Sequence, residues 1–204
     1  MKYCDLTRPA RLLRQREPLK IDELHSLWRL DSGALRIDTT VSDNTCSFVR
    51  LVLPGDVLGL ENLVGVADPL VARALTYSRL IPVTLYDDTQ FKQLLIEAVS
   101  QGYQRARELI TLRTGTTDDR VKRLLITLAS NNSDPLDETT ACALPSLSDM
   151  ATIVNAAPET VCRSLASLRQ TKFLQDCSPE ASKYKHLAQR QHRLQSVPSN
   201  AVAA

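Results

Sequence analysis

Three side chains capable of recognising DNA bases share one face of a predicted helix near residue 160. Glu159, Cys162 and Arg163 are spaced i, i+3 and i+4, so a helix presents an acid, a thiol and a guanidinium together. In a major groove, a glutamate can accept a hydrogen bond from cytosine N4, and an arginine can bond both O6 and N7 of guanine. The spacing is the one that base recognition needs, but taken alone it fits a surface salt bridge better. The alternative is a salt bridge between Glu159 and Arg163 on a solvated helix face.

Four further side chains flank this stripe and predict contacts to the DNA backbone. Hydroxyl and guanidinium groups bond phosphate oxygens, which fixes the register of a protein on a duplex without discriminating sequence. The predicted phosphate-binding residues are Thr160, Ser164, Ser167 and Arg169.

The residues before and within this helix predict a helix-turn-helix. Ser146 and Asp149 precede an apolar run with the spacing of a capping box. Asn155 tolerates the left-handed conformation that such a turn needs, and Pro158 suits the first turn of the second helix. The residues predicted to be buried are Met150, Ala151 and Val154 in the first helix, and Val161, Leu165 and Leu168 in the second. These signals favour base recognition over the salt-bridge alternative.

Composition and charge place the chain among ordinary globular proteins. It has 204 residues, of which 43% are hydrophobic and 24% charged, enough for one large domain or two small ones. It contains no apolar run of about 18 residues and no secretory leader, so we expect a cytoplasmic protein without a membrane span. From Arg163 onward there are seven basic and two acidic residues. This cationic end suits a phosphate backbone, and a solvated basic tail is the alternative.

The cysteines and histidines argue against a metal or cofactor site. Five scattered cysteines show no paired spacing, so we expect neither a disulfide framework nor a cysteine-ligated metal. A cupin-type metal enzyme needs several histidines in one barrel, and His25 is the only one in the β-rich part. We therefore predict no cofactor, no metal and no enzymatic activity, with a cupin-type enzyme as a remote alternative.

The residue pattern predicts an α+β protein of four parts. Residues 1–88 contain short alternating runs (27–30, 34–39, 48–53, 70–75 and 81–85) between turns, typical of a β-roll or jelly roll. Residues 89–115 have a helical period, and Gly102 and Ala106 would let this helix pack closely on its own copy. Residues 116–190 form the predicted DNA-binding domain, whose first helix begins at the acids 118–119. Residues 191–204 are a predicted disordered tail.

Several of these segments, in order, resemble the Crp/Fnr family of bacterial transcription regulators. The resemblance spans residues 8–176 and is carried by segments 27–37, 51–65, 71–83, 116–129 and 158–174. It implies a β-roll sensor domain, a long dimerisation helix and a carboxyl-terminal winged helix-turn-helix. It further implies a homodimer on a palindromic operator, in contact with RNA polymerase. By position in the motif ETVCR, Glu159 and Arg163 match the family's base-recognising residues.

The chain departs from the family at the effector positions. Cyclic-nucleotide binders carry a glutamate and an arginine where this chain has Leu60 and Asp68. An apolar residue and an anion do not hold a cyclic phosphate, so we expect no cAMP binding. The cysteine cluster of the iron–sulfur members is absent, because only Cys4 precedes Cys46, and the chain is expected to start within the first strands. Two alternatives stay open: no effector, or a different small molecule.

Two further departures concern the DNA-binding domain. Cys162 stands where the oxygen-sensing branch has a serine and the cAMP branch a glycine. The favoured interpretation of Cys162 is a small neutral contact residue, and the alternative is redox control at this thiol, which lies near a helix N-terminus beside Arg163. The predicted wing, 176–187, lacks the expected glycine turn. The basic residues Lys183, Lys185 and Arg190 are still expected to reach phosphates.

Overall fold

Eight strands in two antiparallel sheets precede four longer helices in the part of the chain that the structure describes. The computed structural model describes residues 8–21, 24, 26–41, 45–63, 70–131, 144–171 and 173. The strands are β1 Arg11–Leu13, β2 Pro18–Lys20, β3 Trp28–Ser32, β4 Leu35–Val41, β5 Thr45–Val52, β6 Val57–Leu58, β7 Leu70–Ala74 and β8 Ser78–Pro82. The helices are α1 Leu60–Leu63, α2 Asp88–Arg113, α3 Thr117–Asn131, α4 Leu147–Val154 and α5 Pro158–Gln170.

The strand order is that of a jelly roll. One sheet runs β1-β8-β3-β6 and the other β2-β7-β4-β5, with every pairing antiparallel. The pairs β1–β8, β2–β7, β3–β6 and β4–β5 are therefore nested, the first strand with the last. This arrangement confirms the β-rich amino-terminal part expected from the short alternating runs.

An apolar core fills the space between the two sheets. Leu30, Leu35, Ile37 and Leu80 alternate with more polar neighbours along their strands, and all four are almost fully buried. Burying each such side chain contributes about 1.5–3 kcal/mol. The two sheets therefore pack together through one face of each strand. The other face of β4 and β5 remains available for the helices to pack against.

Tight turns at glycines connect the strands as predicted. Gly55 has φ +96°, and in the same turn the Asp56 carboxylate accepts from the Leu53 N–H at 2.9 Å. Gly33 has φ +90°, and a Cβ there would collide with the carbonyl oxygen of Tyr77. The predicted turn at 42–44 lies outside the described residues.

Local capping signals set the helix ends. The side chain of Asp87 accepts from the Gln90 N–H at 2.8 Å and starts α2. After α2, Gly115 at φ +93° reverses the chain. Thr116 then starts α3, since its hydroxyl accepts from the Asp119 N–H at 3.2 Å. The predicted helix start at 118–119 is thus confirmed to within one residue. No described helix is long and apolar enough to cross a membrane.

A second apolar core joins the helices to the outer face of the sheet that contains β4 and β5. Phe48 and Leu51 of β5 lie in the same buried cluster as Leu112 of α2. The remaining members come mainly from α3, α4 and α5, including Val121, Leu124, Leu125, Met150, Ile153, Val161 and Leu165. The sequence pattern did not predict that the helical part shares a core with the sheets.

Other expectations fall outside the described part. They are Cys4, His25, Asp68, the loop after α3 up to residue 143, the wing at 176–187 with Lys183, Lys185 and Arg190, and the tail at 191–204.

Candidate nucleic-acid interface

Helix α4 begins at the N-cap Ser146, as the sequence predicted, although Asp149 bonds the hydroxyl of Ser146 and not its backbone N–H as in a full capping box. The Ser146 hydroxyl accepts from the Asp149 N–H at 3.1 Å and donates to Asp149 Oδ2 at 2.6 Å. Such an N-cap typically stabilises a helix by about 1 kcal/mol. The cap fixes where the first helix of the pair starts, and hence which of its faces is buried.

The turn between α4 and α5 also has the predicted conformation. Asn155 is left-handed, with φ 51° and ψ 62°, and Pro158 occupies the first turn of α5. A contact that the sequence did not suggest completes the turn: Arg120 of α3 donates to the carbonyls of Val154 at 2.6 Å and Asn155 at 3.0 Å. The positive charge of Arg120 is favourable at these carbonyls, because they form the negative end of the α4 dipole. The conformation of the turn is therefore stabilised both by its own residues and by Arg120 of α3.

The inner faces of the two helices are buried as predicted. Met150, Ala151 and Val154 of α4 are all buried, and so are Val161, Leu165 and Leu168 of α5. They pack in one cluster with Val121, Leu124 and Leu125 of α3. Because the buried residues of α5 recur every three to four positions, the opposite face of this helix is turned outward.

That outward face carries the predicted base-recognition residues. Glu159, Cys162 and Arg163 are all exposed, with the small side chain of Ala166 after them. Neither Glu159 nor Arg163 forms a salt bridge with any other residue that the structure describes. The salt bridge between Glu159 and Arg163 is therefore not formed, and no other described residue pairs with either charged group.

Three of the four predicted phosphate-binding residues lie on the accessible side of α5, and one does not. Thr160 and Arg169 are exposed and Ser167 is half-buried. Ser164 is 2% exposed, and its hydroxyl donates to Asp118 Oδ1 of α3. The prediction that Ser164 contacts phosphate is wrong, because this side chain is enclosed between two helices and already bonded. Its role is to hold α5 against α3.

The outer face of α2 is apolar, in contrast to that of α5. Ile96, Val99, Tyr103 and Ile110 are 65–74% exposed. Their spacings of three, four and seven residues place them on one stripe with the exposed Ala106. Beside the stripe, a Cβ on Gly102 would meet nothing within 4 Å. The sequence analysis had named Gly102 and Ala106 on this helix and had missed Ile96 and Tyr103.

A cavity of about 270 Å³ lies between the sheets and α2, with Leu60 in its wall. Its four charged side chains are already paired: Arg50 with Glu61 at 2.8 Å, and Arg105 with Asp56 at 2.8 Å. Burial alone lowers the pKa of Arg105, but hydrogen bonds to Asp56 and Glu108 outweigh it and raise that pKa above its ordinary value. The described wall of this cavity thus offers an incoming phosphate no unpaired cation.

No family model matches the chain, but related proteins and structures do. The transcriptional regulator LdrP of Thermus thermophilus is 27% identical over 157 residues, covering 74% of this chain and 79% of the relative. The transcriptional regulator SdrP of the same species is 25% identical over 148 residues, covering 72% and 73%.

Solved structures show the same architecture. A CRP family transcriptional regulator from Thermus thermophilus superposes with a TM-score of 0.65 at 21% identity, covering 89% of this chain and 96% of that one. The chain has the Crp/Fnr fold. FixK2 from Bradyrhizobium japonicum superposes with a TM-score of 0.58 at 21% identity, covering 96% and 98%. The resemblance to Crp/Fnr regulators that the sequence motifs indicated is therefore confirmed, in the β-roll and in the helices that follow it.

Proposed function

We propose that the chain is a sequence-specific transcription regulator that binds a palindromic operator as a homodimer. The observation that carries the proposal is the outer face of α5, where Glu159 and Arg163 are exposed without a salt bridge to any described residue. The related regulators and the Crp/Fnr fold support it. The protein then acts in the cytoplasm, in contact with RNA polymerase, and is not an enzyme.

Base recognition is assigned to three residues of α5. Arg163 bonds O6 and N7 of a guanine, Glu159 accepts from cytosine N4, and Cys162 lies between them against a base edge. Each good pair of this kind contributes about 1–3 kcal/mol of discrimination against the wrong base. These roles require the helix to lie in the major groove with its amino-terminal half towards the bases.

Backbone binding is assigned to Thr160, Ser167 and Arg169, which flank the recognition stripe on accessible positions. Ala157 provides no side-chain cap for α5, Pro158 has no N–H, and the N–H groups of Thr160 and Val161 donate to the Ala157 carbonyl. In the first turn this leaves the N–H of Glu159 available to a phosphate oxygen. Contacts of this kind position the duplex and make affinity depend on salt.

Dimerisation is assigned to the apolar stripe of α2. An exposed row of Ile96, Val99, Tyr103 and Ile110 is unfavourable in water unless it is covered. A second copy of the same helix covers it by symmetry, and the small Gly102 and Ala106 allow close approach. A two-fold dimer presents two α5 helices in opposite senses, so its operator is expected to be palindromic.

Effector binding of the cAMP type is not part of the proposal. The charged groups that the structure describes around the cavity beside Leu60 are paired with one another, so this part of the wall offers no unpaired cation to a cyclic phosphate. We propose that the regulator acts without an effector or with a different small molecule. Redox control through the exposed Cys162 stays a prediction from the sequence.

Fluorescence anisotropy with an operator duplex selected from a random pool tests the proposal, with a scrambled duplex beside it. We expect Arg163→Ala to lower affinity for the operator by about tenfold or more, because losing the arginine–guanine contact costs about 1–3 kcal/mol. The matched control is Arg169→Ala. It should weaken both duplexes alike and reduce the salt slope by about one per protomer. An unchanged operator affinity and salt slope in Arg163→Ala would contradict the assignment.

A further inference from the structure

A buried cluster of charged side chains joins strand β4 to helix α4, which are far apart in sequence. Arg36 Nη1 donates to Asp149 Oδ1 at 3.0 Å, and Arg36 Nε donates to Asp38 Oδ1 at 3.0 Å. Each of the three side chains is less than a tenth exposed. We call Arg36, Asp38 and Asp149 the Arg36 cluster. It connects the sheets to the helix-turn-helix across 113 residues of chain.

The position of Arg36 follows from strand geometry. Leu35 and Ile37 point into the core between the sheets, so Arg36 and Asp38 share the outer face of β4. Asp38 accepts from both Nε and Nη2 of Arg36, which holds the plane of the guanidinium. The third nitrogen, Nη1, is thereby aimed at α4. An arginine held on one side in this way is a directional contact, unlike a flexible lysine.

Energetics favour a geometric role for this cluster over a stabilising one. Removing an ion from water costs several kcal/mol, and well-packed apolar side chains often stabilise as much as a buried pair does. What a hydrogen-bonded buried pair adds is a fixed direction and distance between its partners. Here the fixed partners are a strand of the sheet and the first turn of α4.

Asp149 couples that contact to the start of the helix. Its Oδ1 accepts from Arg36, while its Oδ2 accepts from the hydroxyl of Ser146, the N-cap of α4. Arg36 therefore bonds the same carboxylate that holds the hydroxyl of the N-cap residue. Helix α4 has only eight residues, and α5 follows after a three-residue turn and packs against it. The direction of α4 thus determines the direction of α5.

Two other polar contacts hold the same helix at its approach and at its end. Gln15, between β1 and β2, donates to the carbonyl of Leu144 at 2.9 Å. Arg113, the last residue of α2, donates from Nε to the carbonyl of Ile153 at 3.3 Å. The Phe48 ring lies within cation–π distance of both Arg36 and Arg113, at 5.7 Å and 5.4 Å from its centroid. Helix α4 is therefore fixed along its whole length.

The sheets also hold α2, the helix assigned to dimerisation. Arg105 of α2 binds Asp56 in the turn before β6, and Glu97 of α2 binds Arg29 of β3 at 2.9 Å. The same two sheets therefore contact both α2 and α5's partner helix α4, which links the two helices assigned to operator binding. The Arg36 cluster is the buried ion-pair contact on the α4 side.

We propose that Arg36 is a positioning residue for DNA recognition. Acting through Asp149, it sets the orientation of α5 relative to α2 and so fixes the spacing between the two half-sites that the dimer accepts. The inference rests on the proposed function, since spacing has meaning only for a dimer on DNA. The recognition helix is then oriented before any ligand binds.

The test compares operators that differ only in the spacer between their half-sites. Wild-type protein and variants are titrated by fluorescence anisotropy against the selected operator, the same operator with one base pair added or removed, and a single half-site. Asp149→Asn keeps the shape but removes the charge that meets Arg36, and its single amide oxygen can accept from Arg36 or from Ser146 but not from both as the carboxylate does. Arg36→Lys keeps the charge but removes the planar fork. The matched control is Arg79→Met, which removes an exposed arginine that pairs with Asp31 on the far sheet.

We expect Asp149→Asn to reduce the preference for the native spacer by about tenfold, the usual size of coupling between two sites. Affinity for the single half-site should stay within about twofold of wild type, because no base contact is touched. Arg36→Lys should stay folded and dimeric and still lose part of the spacer preference. Arg79→Met should behave as wild type in every assay.

The outcomes separate this inference from the proposed function. A folded, dimeric Asp149→Asn that keeps the wild-type spacer preference would overturn the role of Arg36. If Arg36→Lys retained the full preference, the cluster would supply charge neutralisation and not orientation, which also overturns it. If wild-type protein itself showed no preference for paired half-sites, the proposed function would fail instead. Thermal unfolding of each variant, followed by circular dichroism, establishes that it is folded.

Discussion

Helices α2 and α5 each bury one face against the body of the protein, but their outer faces differ in chemistry. The outer face of α2 is an apolar stripe that includes Ile96 and Tyr103, whereas that of α5 carries Glu159 and Arg163. An apolar stripe needs a permanent cover in water, while a charged face is stable when solvated. The comparison indicates a permanent partner for α2 and a reversible, polyanionic one for α5.

The largest expected effect comes from placing charge in the apolar stripe. In Tyr103→Glu, two glutamates would face each other across the two-fold axis, so we expect the dimer to dissociate. Operator affinity should then fall by about a hundredfold or more, because the two half-sites no longer bind as one unit. Sedimentation velocity and anisotropy measure the two effects. The control is Gln104→Glu, one residue outside the stripe, and a Tyr103→Glu protein that still sediments as a dimer would contradict the α2 assignment.

The two faces of α5 should separate stability from recognition. Leu165 is buried in the core shared with α3 and α4, so Leu165→Ala is expected to lower the free energy of unfolding by about 2–5 kcal/mol. Arg163 is exposed, and Arg163→Ala should change it by less than about 0.5 kcal/mol. Urea denaturation measures both. Equal losses in the two variants would mean that Arg163 is part of the packing and not of a recognition face.

A smaller effect is expected at the turn that orients α5 against α4. Asn155 has a left-handed backbone, which asparagine tolerates and alanine adopts only with strain. We expect Asn155→Ala to destabilise the protein by about 1 kcal/mol and Asn155→Gly to leave it nearly unchanged. Chemical denaturation of the two variants checks this. A glycine variant less stable than the alanine variant would show that the side chain, not the backbone, matters here.

The smallest effect concerns the ion pair that holds α2 to β3. The hydrogen bond from Arg29 lowers the pKa of Glu97 below its ordinary value of 4.5, against the opposing effect of burial. A carboxyl group with a lowered folded pKa stabilises the folded state above its unfolded pKa, and this contribution disappears as pH falls through the folded value. The Tm difference between wild type and Glu97→Gln should thus be present at neutral pH, begin to shrink as the pH falls past the ordinary carboxyl pKa of 4.5, and vanish below the lowered pKa of the folded state. Because the Glu97 side chain is 45% exposed, added salt should reduce this Tm difference.

Sequence reasoning succeeded where the cause of a feature is local. Ser146, Asn155 and Pro158 each act within a few residues of themselves, so cap, turn and helix start were predictable from residue type and spacing. Strands β1, β2 and β6 were missed because two or three residues are too few to show an alternating pattern. The strand predicted at 81–85 lies instead at Ser78–Pro82, where the buried polar Ser78 hides the pattern.

Within the candidate site, the errors have two different physical origins. Ser164 lies three residues after Val161 and four before Leu168, so the helical period alone places it on the buried face. Because its side chain is polar, it was nevertheless predicted to face the DNA. The contact between Arg36 and Asp149 has no local signal, because it depends on how the sheets and the helices share a core. Long-range ion pairs of this kind become visible only in the folded structure.

Selection of bound duplexes from a random pool, performed in parallel with wild type and Arg163→Ala, tests the central claim that the outer face of α5 recognises bases. For wild type we expect two inverted half-sites, each with a G·C pair at a fixed position. For Arg163→Ala we expect the same arrangement and spacing with the preference at that pair lost. A variant that still selects the same pair, or a wild-type protein that selects no sequence, would contradict the account.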